Sequence, residues 1–497
     1  MTQVEKDIQK AAKGSVLNYI AALFQLGIYI FHTLASRLFG MAAYGSYIFS
    51  WAVVEVASKV AIFGLDKGVL RMVPAAREVG DIAKERAGLQ TMAKVLVVAS
   101  LLVALVVFMA AGLVAKWQGS KADSSVLRVM ALVIISLPLT IVLVSATMAT
   151  LSMRFNLIVR GIFEPLAMVA MVIVVWLVWR GDNGMPVALA HLCASFCASI
   201  LALFAFHKVF GVSFFSLLFS KGEIDWAFVK YVIPISLAEL SNQAIYRIDI
   251  ILLGFFVQDA KVVATYGACA VMSNVISSVR YAFDPVMSPL ASMATASSDF
   301  KRMEQTLRQL VRWVGMLALP LFVALTVYGD LFLRLFGKDY ALAKDALAVL
   351  CVAHLVNSLL GLHQWAVVMS GRSTLDLCNN LVALVMTSVS CLFLIPRFGI
   401  IGAAVGNLVG NLTFRGLETA QVFYLFRAHV FTRPLISVLF AGLLCLLVQM
   451  GVRAAWGGHS DWQTFCVSTM AGLVCFVVVI LATGLTPQER RLLHLGD

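Results

Sequence analysis

The chain is divided into uninterrupted apolar blocks of about 20 residues or more, the length a helix needs to cross about 30 Å of hydrocarbon. In lipid every backbone N–H and C=O must be satisfied internally, so only helices and closed barrels span a bilayer. The blocks are continuously apolar rather than alternating, which excludes a barrel. Hydrophobic residues make up 61% of 497 positions and charged residues 13%, against about 45–50% and about 25% in soluble domains. An all-α polytopic membrane protein of about fourteen transmembrane helices is predicted.

The predicted spans are 15–37, 42–65, 89–115, 124–150, 158–179, 185–207 and 228–256, then 262–290, 306–328, 343–370, 374–396, 399–426, 431–452 and 461–483. The widest gaps, Asp66–Gly88, Lys208–Ala227 and Ala291–Gln305, are too short for a soluble domain. Any site must sit within the helices or at their mouths. With the N-terminus inside, roughly twenty Lys and Arg fall on the cytoplasmic side and roughly nine outside, so both termini are expected in the cytoplasm. The net charge of +12 is then mainly a topology signal. Its basic stretches are short and lack interleaved aromatics, so no nucleic-acid partner is expected.

Met1–Gly14 resembles the n-region of a signal peptide, but the apolar run that follows is too long for an h-region, so a retained first helix is expected. The nine cysteines fall in or beside spans and form no CxxC pair, as apolar packing residues do. No metal-ligand spacing is present among His32, His191, His207 and His354.

Ala42-Ala43-Tyr44-Gly45 opens the second span, and Ala264-Thr265-Tyr266-Gly267 opens the eighth, about 220 positions later. A basic residue follows each Tyr-Gly pair at similar spacing, Lys59 in one and Arg280 in the other. Two six-helix halves are expected, 1–208 and 228–428, joined by a linker over 209–227 and followed by two further helices and a tail over 429–497. An even number of helices per half makes this a parallel repeat about an axis along the membrane normal, and such halves commonly hold a transport site at their interface.

Charges inside the membrane cost about 2.5–3.5 kcal/mol each on insertion scales and should face the bundle interior or a wet cavity. At about 100° per residue, Tyr44, Trp51, Glu55, Lys59 and Asp66 share one direction on the second span. On the seventh, Glu239, Asn242, Gln243, Tyr246, Arg247 and Asp249 share half the surface, opposite Leu237, Ala244, Ile245 and Ile248. On the eighth, Asn274, Ser277, Tyr281, Asp284 and Ser288 form a stripe with Arg280 at its edge, while Arg415 and Glu418 lie deep in the twelfth. A purely structural reading also stands. Glu55 and Lys59 have the i, i+4 spacing of a local ion pair, as do Arg280 and Asp284; Arg415 and Glu418 have i, i+3, and Arg247 could pair with Asp249. Whole polar faces on three helices favour a hydrated cavity over packing alone, which needs only a few small or hydroxyl residues. Pro165, Pro234, Pro285, Pro289 and Pro320 are candidate kinks, and Gly402, Gly406 and Gly410 a close-packing face.

These residues resemble a family. ASRLFGMAAYGSYIFSWAVVEVASKVAIFGLDKGVLRMV, from Ala35, resembles the opening of bacterial Wzx-type oligosaccharide flippases of the multidrug/oligosaccharidyl-lipid/polysaccharide exporter superfamily. Its marks are Arg37, Gly40, Tyr44-Gly45 and Gly64-Leu65-Asp66. Pro234 and the helix ending Arg247-Ile248-Asp249 are similar too, as are Gly371-Arg372, Asn379-Asn380 and the run from Pro396 to Ala404. The resemblance implies flipping of undecaprenyl-pyrophosphate-linked glycan units from the cytoplasmic to the outer leaflet of a bacterial inner membrane, by alternating access of two lobes and without enzymatic chemistry. It implies no cofactor beyond a coupling proton or sodium ion, and leaves room for other polysaccharide-assembly membrane proteins as partners. Under it, Arg247, Arg280 and Lys59 would hold the pyrophosphate, since cations replace its hydration. Trp51, Glu239, Asn242, Gln243, Tyr246 and Asn274 would face the sugars, and Glu55, Asp249 and Asp284 would bind the ion or balance charge. A lipid II flippase or a multidrug extruder would share the architecture. A membrane glycan polymerase or ligase would need a long outer loop with catalytic groups, which the spans do not leave.

Overall fold

A computed structural model describes residues 26–117, 124–150, 152, 154–179, 181, 183–297, 299–430, 432–456 and 460–483. Met1–Gly14, the start of the expected retained first helix over 15–37 and the tail after 483 lie outside the described residues. In chain order the main helices are α1 (Leu26–Phe39), α2 (Met41–Ile62), α3 (Leu65–Glu78), α4 (Ile82–Trp117), α5 (Ser124–Ala131) and α6 (Val133–Ala149). Then come α7 (Glu164–Val178), α8 (Met185–Phe210), α9 (Trp226–Ile245), α10 (Ile248–Phe256), α11 (Ala260–Tyr281), α12 (Asp284–Ala296) and α13 (Phe300–Val327). The last are α14 (Lys344–Leu360), α15 (His363–Met369), α16 (Ser373–Phe398), α17 (Ile400–Phe426), α18 (Arg433–Ala455) and α19 (Asp461–Thr483).

Among the described residues, 11 helices are long and apolar enough to cross a membrane. The three remaining predicted spans are also helical. The described part of the first is α1, the seventh is interrupted between α9 and α10, and the twelfth is the continuous α17 with its polar residues. The protein is an all-α polytopic membrane protein. Several predicted spans are broken rather than continuous. α2 ends at Phe63 and Gly64, both left-handed, where the Phe63 N–H returns to the Lys59 carbonyl. At Gly64 a side chain would meet the Val232 carbonyl oxygen at 2.7 Å, so only glycine serves there. What was expected as a loop after Asp66 is instead the amphipathic helix α3, with Asp66 in its first turn, where the helix dipole favours an acid.

The described residues fall into two compact units, one running up to Gly267 with Cys391–Gly399, the other holding Ala268–Ser390 and those from Ile400 onward. In the first unit α2 packs on α4, α6 and α9, and α3 on α4 and α6, around Ile62, Leu65, Met92, Leu96, Phe206 and Val232. Hydroxyl pairs join α6 to α8, Ser136 to Ser195 at 2.7 Å and Thr140 to Ser199 at 3.0 Å. The repeated Tyr-Gly pairs face one another's helices. A side chain at Gly45 would strike the Ala260 carbonyl oxygen at 1.8 Å, and one at Gly267 would strike Ile48 at 2.6 Å. In the second unit α14 packs on α13 and α17, and α13 carries the α18–α19 hairpin through Leu319, Val323, Val438, Cys445 and Phe476. The expected glycine face of α17 meets α16, since a side chain at Gly410 would overlap the Thr387 hydroxyl.

Candidate binding and transport site

The break between α9 and α10 builds the centre of the first unit's polar face. Backbone helicity lapses at Tyr246 and Arg247, and α10 restarts at Ile248 with Asp249 in its first turn. Asp249 is buried and accepts from its neighbour Ile250 N–H at 2.8 Å and from the Tyr266 hydroxyl at 2.6 Å. Tyr44, the counterpart of Tyr266 in the other repeat, is fully buried and hydrogen-bonds His32 at 3.2 Å. Each repeat tyrosine therefore reaches a polar group on the preceding helix.

Arg247 turns to α2 and forms an ion pair with Glu55, Nε to Oε2, at 2.5 Å, the two side chains being 26% and 22% exposed. One turn further along α2, Lys59 pairs with Glu239 of α9 at 3.4 Å. Lys67 of α3 reaches the other oxygen of the same carboxylate. Glu55 and Lys59 do have i, i+4 spacing, yet each pairs across helices, because Glu239 of α9 and Arg247 in the break after it bring an opposite charge against α2 at both levels. The side chains of both pairs are about a quarter exposed, so their cations are neutralised without being sealed. Leu237, on the opposite face of α9, is exposed, which is how a helix with one polar and one apolar face sits between a bundle interior and lipid.

Trp51 packs on His191 with ring centroids 4.5 Å apart, and His191 also hydrogen-bonds Tyr47 at 2.8 Å. Asn242, Gln243 and Tyr246 are half-buried on the polar face of α9 and its end. In the second unit Arg280 is almost fully buried. It donates to Asp284 at 3.3 Å and to the Gly361 carbonyl at 3.4 Å, and lies over the Tyr281 ring at 4.7 Å. Asp284 also accepts from the Trp365 indole at 3.0 Å, and Asn274 is half-buried on α11.

The spacing of Arg415 and Glu418 gave a pair, and the structure extends it. Arg415 donates to Glu418 at 2.6 Å and to Asn357 at 2.8 Å; Asn357 donates to Ser277 at 3.1 Å, which contacts His354 at 2.8 Å. Nearby, Asn379 and Gln421 exchange hydrogen bonds at 2.8 Å, and Gln364 donates to Asp376 at 3.1 Å. The amides of this set carried no periodic signal strong enough to single out; only the paired charges did. Among the described residues no group of three or more His, Cys, Asp or Glu could hold a metal ion.

A family model described as "Polysaccharide biosynthesis protein" matches residues 34–344. No curated protein matches the sequence. Among solved structures, the lipid II flippase MurJ in an inward closed conformation superposes with a TM-score of 0.65 at 11% identity, covering 92% of this chain and 98% of that one. A multidrug resistance MATE family transporter of the MOP superfamily, inward-facing, gives 0.62 at 14% identity over 82% and 94%. The eukaryotic MATE transporter AtDTX14 gives 0.61 at 14% identity over 88% and 100%. At these identities the likeness is one of fold.

Proposed function

The chain belongs to the polysaccharide biosynthesis protein family, and from that membership and the geometry above we propose that it flips polyprenyl-pyrophosphate-linked oligosaccharide units across a bacterial inner membrane. The observation that carries this reading is the set of two partly exposed cross-helix ion pairs, Arg247 with Glu55 and Lys59 with Glu239. A pyrophosphate cannot cross hydrocarbon without groups that replace its hydration. Cations held by exchangeable carboxylates suit that task, since an arriving pyrophosphate can displace Glu55 and Glu239 and take guanidinium and ammonium in their place. Arg280 would act the same way once Asp284 yields. Trp51, Asn242, Gln243, Tyr246 and Asn274 would stack on or hydrogen-bond the sugars. Glu55, Asp249 and Asp284 would balance charge or take the coupling ion. The two six-helix halves 1–208 and 228–428 would rock about the bound head group, with both termini in the cytoplasm.

The test is flipping of a fluorescent polyprenyl-pyrophosphate-linked oligosaccharide in proteoliposomes. Wild type should transport; Arg247→Ala/Arg280→Ala and Lys59→Ala should not, at unchanged abundance in the vesicles. Full activity in the double variant would overturn the cationic site. The fold likeness to a lipid II flippase favours lipid II as the second reading. Presenting both lipids to the same vesicles separates the two.

A further inference from the structure

We propose that Glu418 is a proton-binding site within the helical bundle, distinct from the carboxylates at the candidate substrate site. Glu418 is fully buried and Arg415, its partner, is 1% exposed. An ionised carboxylate offers two oxygens with about four acceptor positions. Here Oε2 takes Arg415, while Oε1 is buried and has no hydrogen-bond partner among the described residues. A guanidinium fork laid across both oxygens would satisfy the carboxylate fully. Instead Arg415 spends its Nε on Asn357. The orphan oxygen is left where a proton would sit, and protonation removes the cost of keeping an unsolvated negative charge there.

The surroundings give that proton a consequence. From Arg415 the hydrogen bonds run through Asn357 of α14 and Ser277 of α11 to His354, which is half-buried. They thus tie the sealed pair of α17 to α14 and α11. The other charged or titratable groups facing the pair are Arg280 of α11, Asp376 of α16 and His363 of α15. When a proton from water bonds Oε1, no other covalent bond changes. Glu418 loses its charge, Arg415 keeps its own, and the tie that Arg415 makes between α17 and α14 loses its counter-ion. A single proton thereby sets two arrangements of three helices, the kind of bistable element that an ion gradient can bias.

The binding claim needs no substrate to test. Infrared difference spectra of the purified protein in nanodiscs, titrated from about pH 9 to about pH 4, cover the range over which glutamates in proteins ionise. Wild type should gain a protonated-carboxyl carbonyl band that is absent from Glu418→Gln and returns, shifted, in Glu418→Asp. The same band in wild type and Glu418→Gln would overturn the site. A coupling role rests on the transport reading above: in proteoliposomes an imposed pH gradient should accelerate flipping by wild type and not by Glu418→Gln. An equal response in both would overturn coupling. Loss of flipping in every variant, wild type included, would instead count against the transport reading and leave the spectroscopic result in force.

Discussion

Two kinds of ion pair differ at the level of single residues, and their burial decides what each is for. Arg415 and Glu418 are sealed, whereas Arg247 and Glu55 are about a quarter exposed. Removing one partner of a buried pair leaves an uncompensated charge and costs about 3–5 kcal/mol, while replacing both with apolar groups of similar volume is often neutral. Arg415→Ala should therefore lower the unfolding midpoint in detergent strongly, and Arg415→Met/Glu418→Leu much less; equal losses would show that the pair stabilises directly. Solvent-exposed pairs are worth about 1 kcal/mol or less, and the Arg247–Glu55 pair lies between that limit and the sealed one. Glu55→Gln should accordingly lower the midpoint less than Arg415→Ala while altering transport, because what it alters is the availability of Arg247.

Helix breaks and helix crossings do the positioning among the elements. Where the apolar pattern alone implies one long span, the chain stops at Tyr246-Arg247 and Ala282-Phe283, and charged residues stand beside each stop. The crossing at Gly45 fixes how close α2 comes to α11. A methyl group there would meet the Ala260 carbonyl oxygen at 1.8 Å, so helix must move against backbone. Overpacking of this sort typically costs about 1–3 kcal/mol, and more where nothing can yield. Gly45→Ala should reduce the yield of monodisperse protein on size exclusion. Gly416→Ala on α17, where nothing lies within 4 Å, should leave it unchanged or raise stability by about 0.5–1 kcal/mol. Similar behaviour of the two would mean that the crossing is not tight.

The second unit as a whole includes α18 and α19 as part of its packing rather than as an appendage. Their apolar cluster with α13 is reinforced by Arg453 to Asp330 at 2.9 Å and by Ser468 to the Tyr328 hydroxyl at 2.6 Å. Ending the chain at residue 428 would expose Leu319 and Val323 and leave Asp330 without Arg453. Such a truncation should fall out of the membrane fraction or aggregate on extraction. A monodisperse, transport-competent product would assign those helices to a peripheral role.

The sequence by itself determined the solvent, the secondary structure and the polar faces. A run of about 20 apolar residues has few physical alternatives to a membrane helix. The charges of α2, α9 and α17 were legible for the same reason, since a charge inside such a run is costly and must be accounted for. The pairing Arg415–Glu418 could be read from spacing because both ends lie on one helix. Which carboxylate meets which cation across helices was decided only by the tertiary structure. Glu55 and Lys59 are spaced to pair with each other, yet α9 and the break after it at Tyr246 and Arg247 offer each a partner of opposite charge. The amphipathic α3 and the hydrogen bonds that run from Arg415 to His354 were hidden likewise. Periodicity reports which way a side chain points along its own helix, and carries nothing about the helix that will be packed against it.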